Sequence, residues 1–142
     1  MVFSSPAMAP PYWHADMSHF PLIVVRLLGA DGVQQPDPES LLRIVDGIIA
    51  AQERVVVVYD LTGSKPDASR RQRLVTWLKE NSGRLSLYVV ASAIVAPTPF
   101  HRGILVATFW FVEPKTPVEI FGDRPAAVGW ATAEGKRAGL LA

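Results

Sequence analysis

Apolar and polar positions alternate in blocks along most of the chain, and the blocks change period as they go. Residues 21–28 are almost continuously apolar and predict a first strand, closed by the turn residues Gly29, Asp31 and Gly32. Asp37, Pro38 and Glu39 then supply an N-cap, a proline at the first helical position and an acid in the first turn. Leu41, Leu42, Val45, Ile48, Ile49 and Gln52 follow at helical spacing, so one face of that helix turns inward. Residues 55–61 open with four consecutive valines, the mark of a strand covered on both faces. Residues 62–66 make a turn, and Asp67 caps a second helix that carries Leu74, Val75 and Leu78 inward and ends near residues 81–83.

Residues 85–96 predict a third strand, punctuated by Pro97 and Pro99. Residues 100–112 fit two descriptions. Their aromatic and branched content suits a strand, whereas their length and the Thr98-Pro99 start suit a buried helix, which is the reading adopted. A short strand over residues 117–121 precedes a last helix that begins at Asp123, Arg124 and Pro125 and runs through Val128, Trp130 and Ala131. The order β, α, β, α, β, α, β, α implies an α/β fold with a mainly parallel central sheet of four to five strands and flanking helices. Residues 1–19, with three prolines and no sustained period, read as an extended N-terminal arm whose Tyr12 and Trp13 dock on a single domain spanning residues 20–142.

Composition narrows the classes of function. The chain has 142 residues, one domain's length, and 49% hydrophobic residues against a net charge of +1, enough to fill a core without the basic excess typical of nucleic-acid binders. The absence of cysteine excludes thiol catalysis and cysteine-ligated metals. The longest apolar stretch, residues 103–112, is about half of the ~20 residues a bilayer span requires, and the N-terminus lacks the pattern of a secretion signal; a cytoplasmic protein is expected. Residues 64–84 concentrate six basic side chains (Lys65, Arg70, Arg71, Arg73, Lys79, Arg84) against two acidic ones. That unit suits an acidic partner or a phosphate, although a solvated helix face is the plainer description.

In open α/β sheets, ligands gather beyond the carboxyl ends of the strands. That rim collects Asp60, Thr62, Gly63, Ser64 and Ser69, then Thr98, His101 and Arg102, then Gly122, Asp123 and Arg124. Asp60, His101 and Arg102 are candidates for an acid, a base and an anion clamp, set against a turn-bonding aspartate and a loop-capping pair. Gly63-Ser64-Lys65 is not a phosphate-binding loop, because no glycine precedes it at the required spacing and Pro66 removes a backbone donor. No nucleotide-, metalloprotease- or hydrolase-type motif is present, and no cofactor is implied. His14, Asp16 and His19 are too few to predict a metal site.

The run from Val55 through Tyr59, Asp60, Leu61, Thr62 and Gly63, followed by a loop and an arginine-bearing helix, resembles the STAS-like domains, the fold of the bacterial anti-sigma factor antagonists. The pattern extends over residues 20–135. The resemblance implies a non-enzymatic protein-interaction module of a bacterial signalling pathway. Its partner would contact Thr62, Ser64, Ser69, Arg70, Arg71, Arg73, His101 and Arg102. Ser69 corresponds to the phosphorylated position of the antagonists, although Arg70, Arg71 and Gln72 stand where that family has Gly-Leu-Gly. Relatives grouped with lipid-carrying domains imply a second function, binding a small apolar or lipid-like ligand beside residues 104–112, which are apolar all round if helical. Burial in the core and pairing in a homodimer are the other uses of such a helix.

Overall fold

The computed structural model describes residues 12–28 and 38–142. Arm residues 1–11, the turn at residues 29–32 and the cap at Asp37 lie outside the described residues. Nine elements follow in order: β1 (Tyr12–His19), β2 (Leu22–Leu28), α1 (Pro38–Ala50), β3 (Val55–Asp60), α2 (Ala68–Tyr88), β4 (Val89–Val95), α3 (Pro99–Val112), β5 (Val118–Phe121) and α4 (Arg124–Arg137). The sheet runs β1-β2-β3-β4-β5, with β1 antiparallel to β2 and every other pair parallel. The fold is therefore α/β with a mostly parallel five-stranded sheet. Its order begins with two strands rather than the expected single one.

The additional strand comes from the expected arm. Trp13 and Ala15 turn inward and are buried, while the alternate positions His14 and Asp16 remain partly exposed, a period of two that makes one face of β1 apolar. Tyr12 to Asp16 pair in register with Leu28 to Val24, and β1 joins β2 through a tight turn containing the cis Phe20–Pro21 peptide. Residues 12–19 are thus an edge strand of the domain.

Three crossovers join neighbouring parallel strands in sequence order, and the usual right-handed connection places α1, α2 and α3 on one face of the sheet. Side-chain parity agrees. Val55 and Val57 pack with Ile48 of α1, Tyr59 packs with the α1–α2 cluster around Trp77, and Ser92 and Val118 continue that face through the register Val57↔Ser92↔Val118. The opposite face, with Leu22, Val56, Val58, Ala91, Ala93 and Val95, is covered by α4. Ala127, Ala131 and Gly135, each four residues from the next, allow α4 to approach closely. A Cβ at Gly135 would lie 3.6 Å from Val56 and 2.7 Å from Leu141. The four valines of β3 are almost wholly buried, as expected for a strand covered on both faces.

Two helices depart from the expected picture. α2 passes through Gly83 and reaches Tyr88, so β4 starts at Val89 rather than at residue 85. Leu74, Trp77, Leu78, Leu85 and Tyr88 lie along one helical face, and their packing against α1 outweighs the ~1 kcal/mol that a mid-helix glycine costs. Residues 99–112 are helical, opened by Thr98, whose hydroxyl accepts from the His101 amide, and closed by Glu113 in the left-handed region. This helix is not a core element. His101 is its only buried residue, and Phe100, Val106, Trp110 and Phe111 face outward. Among the described residues no helix is long and apolar enough to cross a membrane.

Candidate binding cleft

α2 rests on α1 through Trp77, which is buried with Leu42, Val45 and Ile49. α3 packs against β5 and touches α2, and a cleft remains between the two helices. Leu74, Leu78 and Leu85 of α2 form one wall, and Leu105, Phe109 and Val112 of α3 form the other. Tyr59, Ser92, Ile94 and Val118 make the floor. The cleft has a volume of about 150 Å³, and its surface is overwhelmingly apolar. Its space follows from the sequence of β4, where the small Ser92 occupies a floor position between two valines, Val57 and Val118. Lys79 reaches across from α2 to α3, its Nζ 3.6 Å from the centre of the Phe111 ring, so a cation–π contact spans the two helices. Burial pushes the Tyr59 phenol above its ordinary range and keeps it protonated.

A second, smaller cavity of about 100 Å³ lies at the carboxyl rim of the sheet. Leu41, Leu61, Leu74 and Leu105 line both cavities, so the two stand back to back across these four side chains. Both are mainly apolar, the smaller one with the larger polar share. Ser64, Lys65, Asp67, Arg70, Arg71 and His101 contribute to it. Asp67 caps α2, its carboxylate accepting from the Arg70 amide at 2.9 Å and from the Ser69 hydroxyl at 2.8 Å, and these bonds hold it below the usual carboxylate range. His101 is 7% exposed, burial lowers its imidazole pKa, and its side chain has no hydrogen-bond partner among the described residues.

Of the residues expected to carry function, the rim cavity brings together Ser64, Arg70, Arg71 and His101. The rest are engaged elsewhere. Thr62 donates from its hydroxyl and its amide to Asp60 Oδ1. Ser69 is exposed in the first turn of α2. Arg73 makes a two-pronged ion pair with Glu39, tying α2 to α1. Arg102 donates to the carbonyls of Ala96 and Pro97, both at 2.9 Å, pinning the end of β4.

The structure does not assemble Asp60, His101 and Arg102 into one group. Asp60 shares the parity of Val56 and Val58 and faces α4, where Arg124 Nε donates to it at 2.7 Å; His101 stands on the opposite face with α1 and α2. Burial alone would raise the Asp60 carboxyl, but the bonds from Thr62 and Arg124 outweigh it and hold the carboxyl below its ordinary value. Among the described residues no group of three potential ligands could hold a metal ion.

The ligand-binding alternative expects an apolar pocket beside residues 103–112, but nothing in the sequence identifies its other wall. Its α2 wall uses the inward residues of an amphipathic pattern, which reads as ordinary core. Only the all-round apolarity of α3 hinted that its inner side lines something other than core. A scan against protein-family models finds no match to the chain, and searches of curated proteins and of solved structures find none either.

Proposed function

We propose that the protein is a non-enzymatic binding module whose ligand is a small apolar molecule held between α2 and α3. The observation that carries this reading is the cleft of about 150 Å³, walled by leucines and by Phe109 and floored by the sheet. Enclosed apolar cavities of that size accept a ring-sized guest, and this open cleft offers a similar volume to a ring or a short chain. Dispersed polar groups, the Tyr59 and Ser92 hydroxyls, are the few orienting contacts such sites carry. Decanol, a neutral chain, serves as probe. Titration followed by the fluorescence of Trp77, which lines the cleft, is expected to saturate in the wild type and to fail in Leu78→Trp, which fills it. Absence of saturable binding in the wild type would remove the reading.

The STAS-like resemblance and a protein partner form a second reading. It is favoured by one observation, an exposed Ser69 in the first turn of α2 beside Arg70 and Arg71, where a phosphate would be electrostatically tolerated. The run of parallel strands joined by crossover helices is compatible with it. Under this reading Ser69→Asp and Arg70→Glu weaken capture of the partner by the folded protein, and equal capture by both variants and wild type would rule it out.

A further inference from the structure

At its rim end the apolar cleft adjoins the smaller cavity. Four leucine side chains belong to both, and beyond them cationic side chains join a lining that is still mainly apolar. Lys65, Arg70 and Arg71 bring three positive charges to that smaller cavity, and Asp67, already occupied in capping α2, brings one negative charge. Lys65 and Arg70 also contact other groups. The guanidinium of Arg71, by contrast, makes no hydrogen bond or ion pair with a described residue. His101 is the independent observation. Its side chain lines the cavity at 7% exposure and has no hydrogen-bond partner among the described residues. No solvent-sealed side-chain nitrogen or oxygen there lacks a partner, so the unbonded ring nitrogens of His101 stay open to a group in the cavity.

From this juxtaposition, and resting on the binding function proposed above, we infer that the ligand is an anionic amphiphile, a single-chain or single-ring carboxylate. Its tail occupies the α2–α3 cleft, and its head lies in the rim cavity against Arg71 and His101. Arg71 supplies the planar fork that matches a carboxylate, and His101 supplies an N–H donor that the protein leaves unused. The dimensions set the class. Drug-sized sites span ~300–1,000 Å³, whereas the cleft holds about 150 Å³ and the head cavity about 100 Å³, which suits one short chain and not a two-chain lipid.

The test compares decanoate with decanol, two ligands sharing a chain and differing in the head, by titration calorimetry on the full chain below their aggregation limits. Decanoate is expected to bind the wild type at least tenfold more tightly than decanol. Arg71→Gln and, separately, His101→Leu are expected to erase most of that preference while leaving decanol affinity within about twofold. The Arg71 side chain has no partner among the described residues, so Arg71→Gln retains stability even if His101→Leu does not. Equal affinities for the two ligands in the wild type would overturn the inference and leave the apolar site standing. A decanoate preference that survives Arg71→Gln unchanged would overturn the placement of the head. Failure of both ligands to bind would remove the site as well.

Discussion

Ser92 is the residue whose replacement bears most directly on the space between α2 and α3. It sits on β4 at 8% exposure, in register with Val57 and Val118, and its side chain lines the cleft floor. Ser92→Leu removes the hydroxyl and adds three carbon groups pointing into existing space. At ~0.8 kcal/mol per buried methylene the gain is about 2.4 kcal/mol. Lost leucine rotamer freedom takes back ~0.5–1 kcal/mol. Imperfect fit takes back a further fraction, leaving a stabilisation of about 1 kcal/mol. In a domain of this length that raises the thermal midpoint by about 4 °C. Thermal and urea unfolding monitored by circular dichroism measure it, and the urea slope should stay constant, since the exposed surface hardly changes. In a filled core the same substitution would overpack and destabilise by ~1–3 kcal/mol. A fall of 1 kcal/mol or more would therefore show that the space is not there.

Three other outcomes follow from the same packing and electrostatics. Burial lowers the His101 pKa below the usual 6.5, so the unfolded chain takes up its proton first; the stability it contributes is complete above about pH 6.5 and is lost as pH falls through the folded value. Lys65, Asp67, Arg70 and Arg71 line the same cavity and are the charged groups that face it. Urea midpoints between pH 7 and pH 5 should therefore fall less steeply in His101→Gln than in the wild type, and parallel profiles would refute the assignment. Arg124→Ala removes a charged hydrogen bond to the buried Asp60 carboxylate. Because Arg124 is nearly half exposed and the Thr62 bonds remain, the cost in urea unfolding is about 1 kcal/mol rather than the ~1.5–3 kcal/mol of a fully buried charged bond. Ala131→Leu thrusts a branched side chain from the buried stripe of α4 into Val56 and Ala93 and should destabilise by ~1–3 kcal/mol, whereas Ala133→Leu on the exposed side of that helix should change stability by under ~0.5 kcal/mol.

Local signals carried much of the fold. Asp67 and Asp123 cap α2 and α4 as their sequence context indicates, Pro99 and Pro125 sit in the first turns, and the valines of β3 are covered on both faces. Two boundaries escaped because nonlocal packing decided them. Gly83 reads as a helix stop, yet Leu85 and Tyr88 extend the face that packs on α1. Trp13 and Ala15 alternate over only four residues, too short a run to announce a strand until Val25 and Leu27 pair with them. The rim was legible as a neighbourhood but not as a set of contacts. Asp60 and Arg124 meet across 64 positions of sequence, on the face away from His101, and strand parity near a turn is what separates them. The cleft was the least legible feature. Its leucines carry the same helical spacing whether α3 closes on α2 or stands off from it, and only the packing of α3 against β5 distinguishes the two.

The most direct measurement on the binding cleft is a set of intermolecular nuclear Overhauser contacts from the alkyl chain of decanol to the assigned protein. The expected contacts are to Leu78, Leu105 and Phe109, inside the cleft, with saturation at one equivalent. Contacts confined to Phe100, Val106, Trp110 and Phe111 on the outer side of α3, without saturation, would show adsorption to an exposed apolar face and contradict the assignment of the cleft as the site.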